Sequence, residues 1–399
     1  MRRSLAILLL CSSLLLSVPA AQAGSIFTAS SLGEMVHPAD ARLRAMGGTG
    51  LALTQGLSGS LLNPALMGGL KLAAVTFTAR PEALYARDDQ DNNVLTTMRI
   101  ENFALYLPLG KQFAMSLDFR QRSDFNFKAY EETLLYGEPY TKTITHTGGT
   151  SLVSLNFARS FGTSLYAGFR VGYVFGSMKQ VLKGNFEDTD YLDAQLSSNI
   201  ENTGSQYSGG LAAKLGDKLS AGLIYTFAHD IKRKDTTYSS FSPTVALERT
   251  YRYPSVYGLG LSYRPSPKLL GQLDVIFTKW SDFQIDGQTS ARYQDVVRIA
   301  TGFEFRAIKE GSSSYLRVIP LRFGYAFEPW YRKTAEGAEI TGHFLTLGIG
   351  LPFGHRGAHL DASLELGIRG DVSSVGAEEK VVRGTLSIWG FESWFQRRK

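Results

Sequence analysis

The chain has 399 residues, with 42 Lys and Arg against 36 Asp and Glu, 41 Gly, 24 Phe, 19 Tyr, 4 Trp and a single Cys. So many apolar and aromatic residues exclude an intrinsically disordered chain, and one Cys excludes a disulfide scaffold. A mean hydropathy near zero argues against a bundle of membrane helices. A Gly- and aromatic-rich chain of this kind is either a soluble β protein or a transmembrane β-barrel.

Met1–Ala23 reads as a signal peptide. Arg2 and Arg3 form a positive start, an apolar core follows, and Ala21-Gln22-Ala23 is a small-x-small cleavage site. Cleavage before Gly24 removes Cys11, which lacks the small preceding residue a lipid-modified Cys requires. It also lowers the net charge from +6 to +4, of which Arg397, Arg398 and Lys399 supply three. The body is nearly neutral, so its basic pI is no nucleic-acid footprint, which would need clustered Lys and Arg on one face.

Gly24–Gly69 has neither sustained alternation nor a long helical period. Met46, Gly47 and Gly48 lie in its Gly-rich first half. Pro64 can start a short helix with Asn63 as its cap, followed by Ala65 and Leu66. Read physically, this is a compact plug whose glycines permit close backbone approach.

From residue 70 onward the signal is period-two alternation. Leu345, Leu347, Ile349 and Leu351 alternate with Thr346, Gly348 and Gly350; Leu360, Ala362, Leu364, Leu366 and Ile368 alternate with Asp361, Ser363, Glu365, Gly367 and Arg369. Fourteen strands are predicted, starting near Lys71, Thr97, Gln112, Thr145, Ser164, Gln206, Lys218, Tyr251, Lys268, Arg292, Ser314, Ile340, Ala358 and Val381. Strands of about 10–16 residues are long enough to cross a bilayer at a tilt. No later apolar run reaches the ~18 residues of a spanning helix, so a membrane form must be a closed barrel. Turns such as Pro108–Lys111 and Ser160–Thr163 alternate with longer polar connections over about 88–96, 123–144, 178–204, 229–249, 284–291, 329–339 and 371–379, the pattern of short periplasmic turns and long outer loops. An even strand number puts both chain ends, and the N-terminal segment, on the periplasmic side. Trp280, Phe283, Trp330, Tyr331, Trp389, Phe391, Trp394 and Phe395 near strand ends are read as interfacial girdles.

The pattern Arg-x-Met-Gly-Gly-x-Gly at 44–50, then Asn63-Pro64-Ala65-Leu66, then a first strand resembles the long-chain fatty acid transporter family (FadL/TodX-type), including its PorV-type relatives. The resemblance implies a 14-stranded antiparallel outer-membrane β-barrel with an N-terminal hatch in the lumen: signal peptide 1–23, hatch 24–69, barrel 70–399. It implies passive diffusion of a hydrophobic, long-chain fatty acid-like molecule. The alternative is a PorV-type barrel that serves a secretion or surface-attachment partner. The site residues under this reading are Met46, Gly47, Gly48, Asn63, Pro64, Ala65 and Leu66. The expected partners are outer-membrane lipid and a hydrophobic small-molecule ligand, with multi-pass location in a bacterial outer membrane. No cofactor and no nucleic acid are expected.

The alternation directs Asp118, Arg120, Arg170, Asp274, Glu304, Arg306, Arg322, Asp361, Glu365 and Arg369 into the lumen. Buried charges must pair. They are expected either to hold the hatch, with Arg322 bound to one of these acids, or to meet the carboxylate of an amphipathic ligand through Arg170 or Arg322. Phe125, Phe127, Leu134 and Leu135 are candidates for ligand capture in an outer loop. Catalytic and metal sites are not expected: no Gly-x-Ser-x-Gly occurs, and His355 and His359 lie in a turn and strand start, where they share no helical face.

Overall fold

In the computed structural model the described residues are 24–392, apart from 29–31, 89–91, 111, 136, 187–192, 241, 307–318 and 354–356. The predicted signal peptide, the predicted strand start at Ser314, His355, Trp394, Phe395 and the basic tail lie outside them.

The strands, in chain order, are β1 (Glu34–Met35), β2 (Ala73–Arg87), β3 (Asn92–Pro108), β4 (Phe113–Asp124), β5 (Phe127–Leu135), β6 (Glu138–Phe161), β7 (Leu165–Phe186), β8 (Ala194–Leu215), β9 (Leu219–Thr226) and β10 (His229–Ser239). They continue with β11 (Val245–Tyr253), β12 (Val256–Ser266), β13 (Leu269–Thr278), β14 (Gln284–Ile285), β15 (Gln288–Thr289), β16 (Val296–Phe305), β17 (Leu321–Phe327), β18 (Gly342–Pro352), β19 (His359–Asp371) and β20 (Ala377–Glu392). Several wall strands are broken in two. β4 and β5 both pair with β6, and β9 and β10 both pair with β8. Counted this way the wall has 14 antiparallel strands, and β2 closes it against β20 from Ala73↔Glu392 to Arg87↔Glu378.

The wall is inside-out relative to a soluble protein. Leu345, Leu347, Leu364 and Leu366 are exposed, while Thr346, Asp361 and Glu365 of the same strands are buried. Large exposed apolar side chains recur around the wall, among them Phe103, Leu117, Phe157, Phe169, Leu211, Leu259, Leu273 and Phe323. A belt of this size is what a lipid-facing surface requires.

Three sequence expectations are corrected here. Residues 123–144, 178–204 and 229–249 are largely β-hairpins that prolong the wall, through β5–β6, β7–β8 and β10–β11. Their outward positions turn polar beyond the apolar belt, so the alternation that marks a strand in sequence disappears while the backbone ladder continues.

The segment ahead of β2 does not begin at the short-turn end. Gly24 lies against Asn126, Ser25 Oγ donates to Glu379 at 3.0 Å, and both partners stand near the long-hairpin end. The segment then descends until Gly68 meets Arg159 and Tyr166 near a short turn.

Among the described residues, five of the six aromatics read as girdles do not face outward. Trp280, Phe283, Trp330, Tyr331 and Trp389 are all buried. Their rings find partners in the barrel interior, where aromatic pairs and N–H or O–H bonds are available.

Candidate functional site

The inner segment folds by local rules. Asp40 caps a single α-helical turn, α1 (Ala41–Arg44), by accepting from Leu43 N at 2.9 Å. Gly47 and Gly48 follow with φ of 70° and 75°, a backbone that side chains rarely adopt. Asn63 caps the 3₁₀ turn Pro64–Met67 through Ala65 N at 3.1 Å. Its amide nitrogen also donates to Leu51 O at 3.0 Å and to Leu211 O of the wall at 2.9 Å. Met46, Pro64, Ala65 and Leu66 are buried. Met46 approaches the wall so closely that a Cβ on Gly302 or Gly324 would come within 2.4 Å of the segment. Glycine at those wall positions is a packing requirement.

Polar bonds tie the segment to the wall along its length. Asp274 accepts from Gly50 N at 2.7 Å and from Leu51 N at 3.0 Å. Arg120 donates to Leu61 O at 2.9 Å. Arg170 donates to Ser60 O and Leu61 O at 3.2 and 3.0 Å, and to Asn156 Oδ1 at 2.6 Å. Asp118 accepts from Ser154 at 2.8 Å and from Asn156. Gly47 N donates to Thr346 Oγ1 at 3.0 Å, and Trp389 Nε1 donates to Asp40 at 3.0 Å.

The lumen charges are buried and form two networks. In the first, Glu304 holds Arg42 of the inner segment at 2.9 Å, Arg322 at 2.8 Å and Arg306 at 2.8 Å. Arg322 continues to Asp361 at 2.6 Å. Arg306 is the exception to burial, since its side chain is 40% exposed. In the second, Glu34 holds Arg369 at 2.7 Å and Arg383 at 2.6 Å; Arg369 also meets Glu379 at 3.1 Å, and Arg383 meets Glu365 at 2.9 Å and Glu82 at 3.1 Å. Arg99 links Glu82 at 2.8 Å with Asp124 at 2.5 Å. Between the two networks, Arg44 of α1 pairs with Glu101, which Arg80 also approaches.

Sequence reasoning missed Glu34, Arg42, Arg44, Arg80, Glu82, Arg99, Glu101, Asp124, Glu379 and Arg383. Parity was the available signal in β2, where Arg80 and Glu82 alternate with Ala79, Pro81 and Ala83; Glu379 stands between Glu378 and Lys380 and carries no such signal. Nothing in the local sequence signals the roles of Glu34, Arg42 and Arg44, whose partners lie up to hundreds of residues away.

Above the segment lies a cavity of about 300 Å³. Leu51, Leu62, Leu152, Ile224, Ile276 and Val296 supply apolar lining. The aromatic cluster lies on its long-hairpin side: the rings of Trp280 and Tyr331 stand 4.4 Å apart and those of Phe283 and Tyr293 4.6 Å apart. Tyr331 pins the segment below it, donating to Gly33 O at 2.7 Å and accepting from Leu32 N at 2.9 Å.

Two arginines not singled out by sequence, Arg122 and Arg298, line it beside Arg120, Arg170 and Glu328. Arg122 donates to His229 Nε2 at 3.2 Å and lies over the Tyr253 ring at 4.1 Å. Arg298 donates to Glu328 at 2.6 Å and to Gly47 O at 2.6 Å. The Nη1 atom of each is buried without a hydrogen-bond partner among the described residues. A lining that sets several arginines among apolar side chains fits a molecule with an apolar body and a polar or anionic end. Of the arginines singled out by sequence, Arg322 is consumed by ion pairs. Arg170 lines the cavity, but its donors are largely taken. Phe125 and Phe127 are buried, Phe125 stacking on His146 at 4.7 Å, so only Leu134 and Leu135 remain exposed for capture. No group of three metal-ligating side chains occurs among the described residues.

The fold has solved relatives. A FadL homologue of Pseudomonas aeruginosa is similar with a TM-score of 0.64 at 12% identity, over 90% of this chain and 98% of that one. The toluene transporter TodX of Pseudomonas putida gives 0.59 at 14% identity, over 91% and 100%. The toluene transporter TbuX of Ralstonia pickettii gives 0.58 at 14%, over 90% and 99%. At these identities the likeness is one of fold. No curated protein matches the sequence significantly. A family model described as BamG matches residues 1–399.

Proposed function

The chain belongs to the BamG family, and on that premise we propose that it is an outer-membrane barrel whose lumen, closed by the N-terminal hatch, receives a hydrophobic or amphipathic small molecule. The cavity beneath the Trp280–Tyr331 cluster carries this reading: apolar side chains such as Leu51, Leu152, Ile224 and Ile276 share its lining with Arg120, Arg122, Arg170 and Arg298. The printed names of structural neighbours such as the TodX and TbuX toluene transporters agree with an apolar cargo. Arg122, whose side-chain partners among the described residues are His229 and the Tyr253 ring, makes a long-chain acid a fitting ligand through its carboxylate. Passage requires the hatch to yield, because the ion pairs of Arg42, Arg44 and Glu34 hold it in the lumen. No energy source is implied, and diffusion suffices.

The test is direct. Refolded barrel in lipid vesicles is titrated with oleate and with toluene while tryptophan emission is followed, and uptake of labelled oleate is measured in parallel. Saturable quenching is expected, with Arg122→Gln weakening oleate about tenfold or more while sparing toluene. Absence of a saturable response to either molecule would remove the reading.

A second reading, a barrel that serves a partner machine, is favoured by the length of β6, β7 and β8, which run 24, 22 and 22 residues. A bilayer needs about 9–11. The surplus stands clear as a docking platform. Shortening the β7–β8 hairpin would then abolish assembly with the partner and leave ligand quenching intact.

A further inference from the structure

The short-turn end of the wall carries a group of cations that the chain does not balance. Lys218, Arg264, Lys268 and Arg306 stand at neighbouring strand ends: Arg264 N donates to Lys218 O at 2.7 Å, and Arg306 N donates to Lys268 O at 2.8 Å. Their parity is that of the lumen. Tyr263, Leu269 and Phe305 are exposed on the lipid side, while Ser262, Leu270 and Glu304 are buried on the inner side. Even-numbered positions here turn inward, so the four cations border the lumen mouth on this side of the barrel.

Strand register brings them together. The regular β12–β13 ladder ends at Tyr263↔Gly271, and Leu270 of β13 pairs with Glu304 of β16. Arg264 therefore stands across Leu270 from Glu304, and the charges acting on it are Arg306, Glu304 and Arg42. Glu304 is already shared by Arg42, Arg322 and Arg306 at 2.8–2.9 Å. Lys218, Arg264 and Lys268 enter no ion pair among the described residues, and Arg264 Nε is buried without a hydrogen-bond partner among them. Arg306 gives its Nε to Glu304 and keeps a side chain that is 40% exposed. Asp217, exposed in the same turn as Lys218, pairs with none of the four. The underside of the inner segment supplies no acid here: Thr54 meets Ser220 at 3.3 Å, and Gln55 and Gly56 are exposed.

We propose that this cluster is a binding site for a phosphate-bearing anion that arrives from the side of the short turns. The Arg264 and Arg306 guanidiniums offer forked N–H groups to a tetrahedral oxyanion, and Lys218 and Lys268 add point charge at its edge. A phosphate suits this set better than a carboxylate, because it carries more charge and three acceptor oxygens. The chemistry is shared by a free phosphate and by the headgroup of an anionic phospholipid, whose chains would lie on Leu269 and Phe305. None of the four cations lines the cavity beneath the Trp280–Tyr331 cluster, so failure of ligand binding there leaves this site standing.

The experiment is hydrogen exchange on the refolded mature barrel in phosphatidylcholine nanodiscs, read at the Arg264 and Arg306 amides that close the strand ends around the site. Inorganic phosphate replaces chloride at constant ionic strength, so that screening is unchanged. Saturable slowing is expected, about tenfold at ten times the Kd, because a frayed strand end loses the site. The Ser160 amide, bonded to Gln112 O at 2.9 Å at another short-turn end, should keep its rate. Arg264→Gln should abolish the response, and Arg264→Lys should restore part of it. In nanodiscs containing phosphatidylglycerol, protection present before phosphate is added supports the same site with a lipid headgroup as occupant; protection that appears only with phosphate supports it with the free anion. No slowing in either arm, equal slowing in Arg264→Gln, or equal slowing at Ser160 would overturn the proposal. A phosphate response that appears only after Glu310→Gln would overturn it too, because a carboxylate of the chain then fills the site.

Discussion

Glu304→Gln tests whether ion pairs hold the hatch. Glu304 is 1% exposed and accepts from three arginines. The three do not suffer alike when the charge is lost. Arg306 is half in water and re-solvates. Arg322 keeps Asp361 at 2.6 Å. Arg42 keeps only the carbonyl of Gln55 at 3.1 Å, so it is left as a buried cation without an anion. Stranding one partner of a buried pair costs about 3–5 kcal/mol. Because Arg42 sits on the inner segment, that cost is relieved by undocking the segment, with the wall left in place. Taking about 3 kcal/mol, the undocked population rises roughly 150-fold. Hydrogen exchange of the Ala41–Thr49 amides in vesicles should accelerate by a comparable factor, while Leu364–Leu366 in β19 keep their rates. Adding Arg42→Ala should recover part of the loss, since it removes the stranded cation. Unchanged exchange in the segment, or equal acceleration throughout the wall, would refute the assignment of these pairs to hatch retention.

The outer belt makes a second prediction. Leu347, in the middle of β18 and 57% exposed, should lose about 2–4 kcal/mol of folding stability in lipid vesicles on change to Arg; a loss under about 0.5 kcal/mol would indicate a water-facing surface. Gly302→Ala places a Cβ 2.4 Å from Met46, so protease cleavage within residues 40–60 should appear while the barrel keeps its folded mobility on gels; continued protection would contradict the close approach. Asn63→Ala removes the cap on Ala65 and two carbonyl bonds, and should lower the protection of the Pro64–Met67 turn by roughly 1–3 kcal/mol, measured by the same exchange experiment.

Much of the wall is legible in the sequence because a strand announces itself locally. Side chains of residues two apart share a face, so Leu345 to Leu351 or Asp361 to Arg369 declare both the strand and its inner side without reference to any neighbour. The strand number and the inward placement of Asp118, Arg170, Asp274 and Asp361 follow from that parity. The same logic fails where contrast between the faces is lost. The upper halves of β6, β7 and β8 are polar on both sides beyond the belt, and read as loops.

What lies inside the barrel is decided by pairings across the fold. Arg42 meets Glu304, Glu34 meets Arg369, and Trp389 meets Asp40. Each links residues hundreds of positions apart. Even spacing says that a charge faces inward, and closure of the sheet alone says which opposite charge it finds there. Trp280, Trp330 and Tyr331 illustrate the same limit: their place near strand ends suits a girdle or an interior cluster equally, and the direction of the inner segment beneath them decides it.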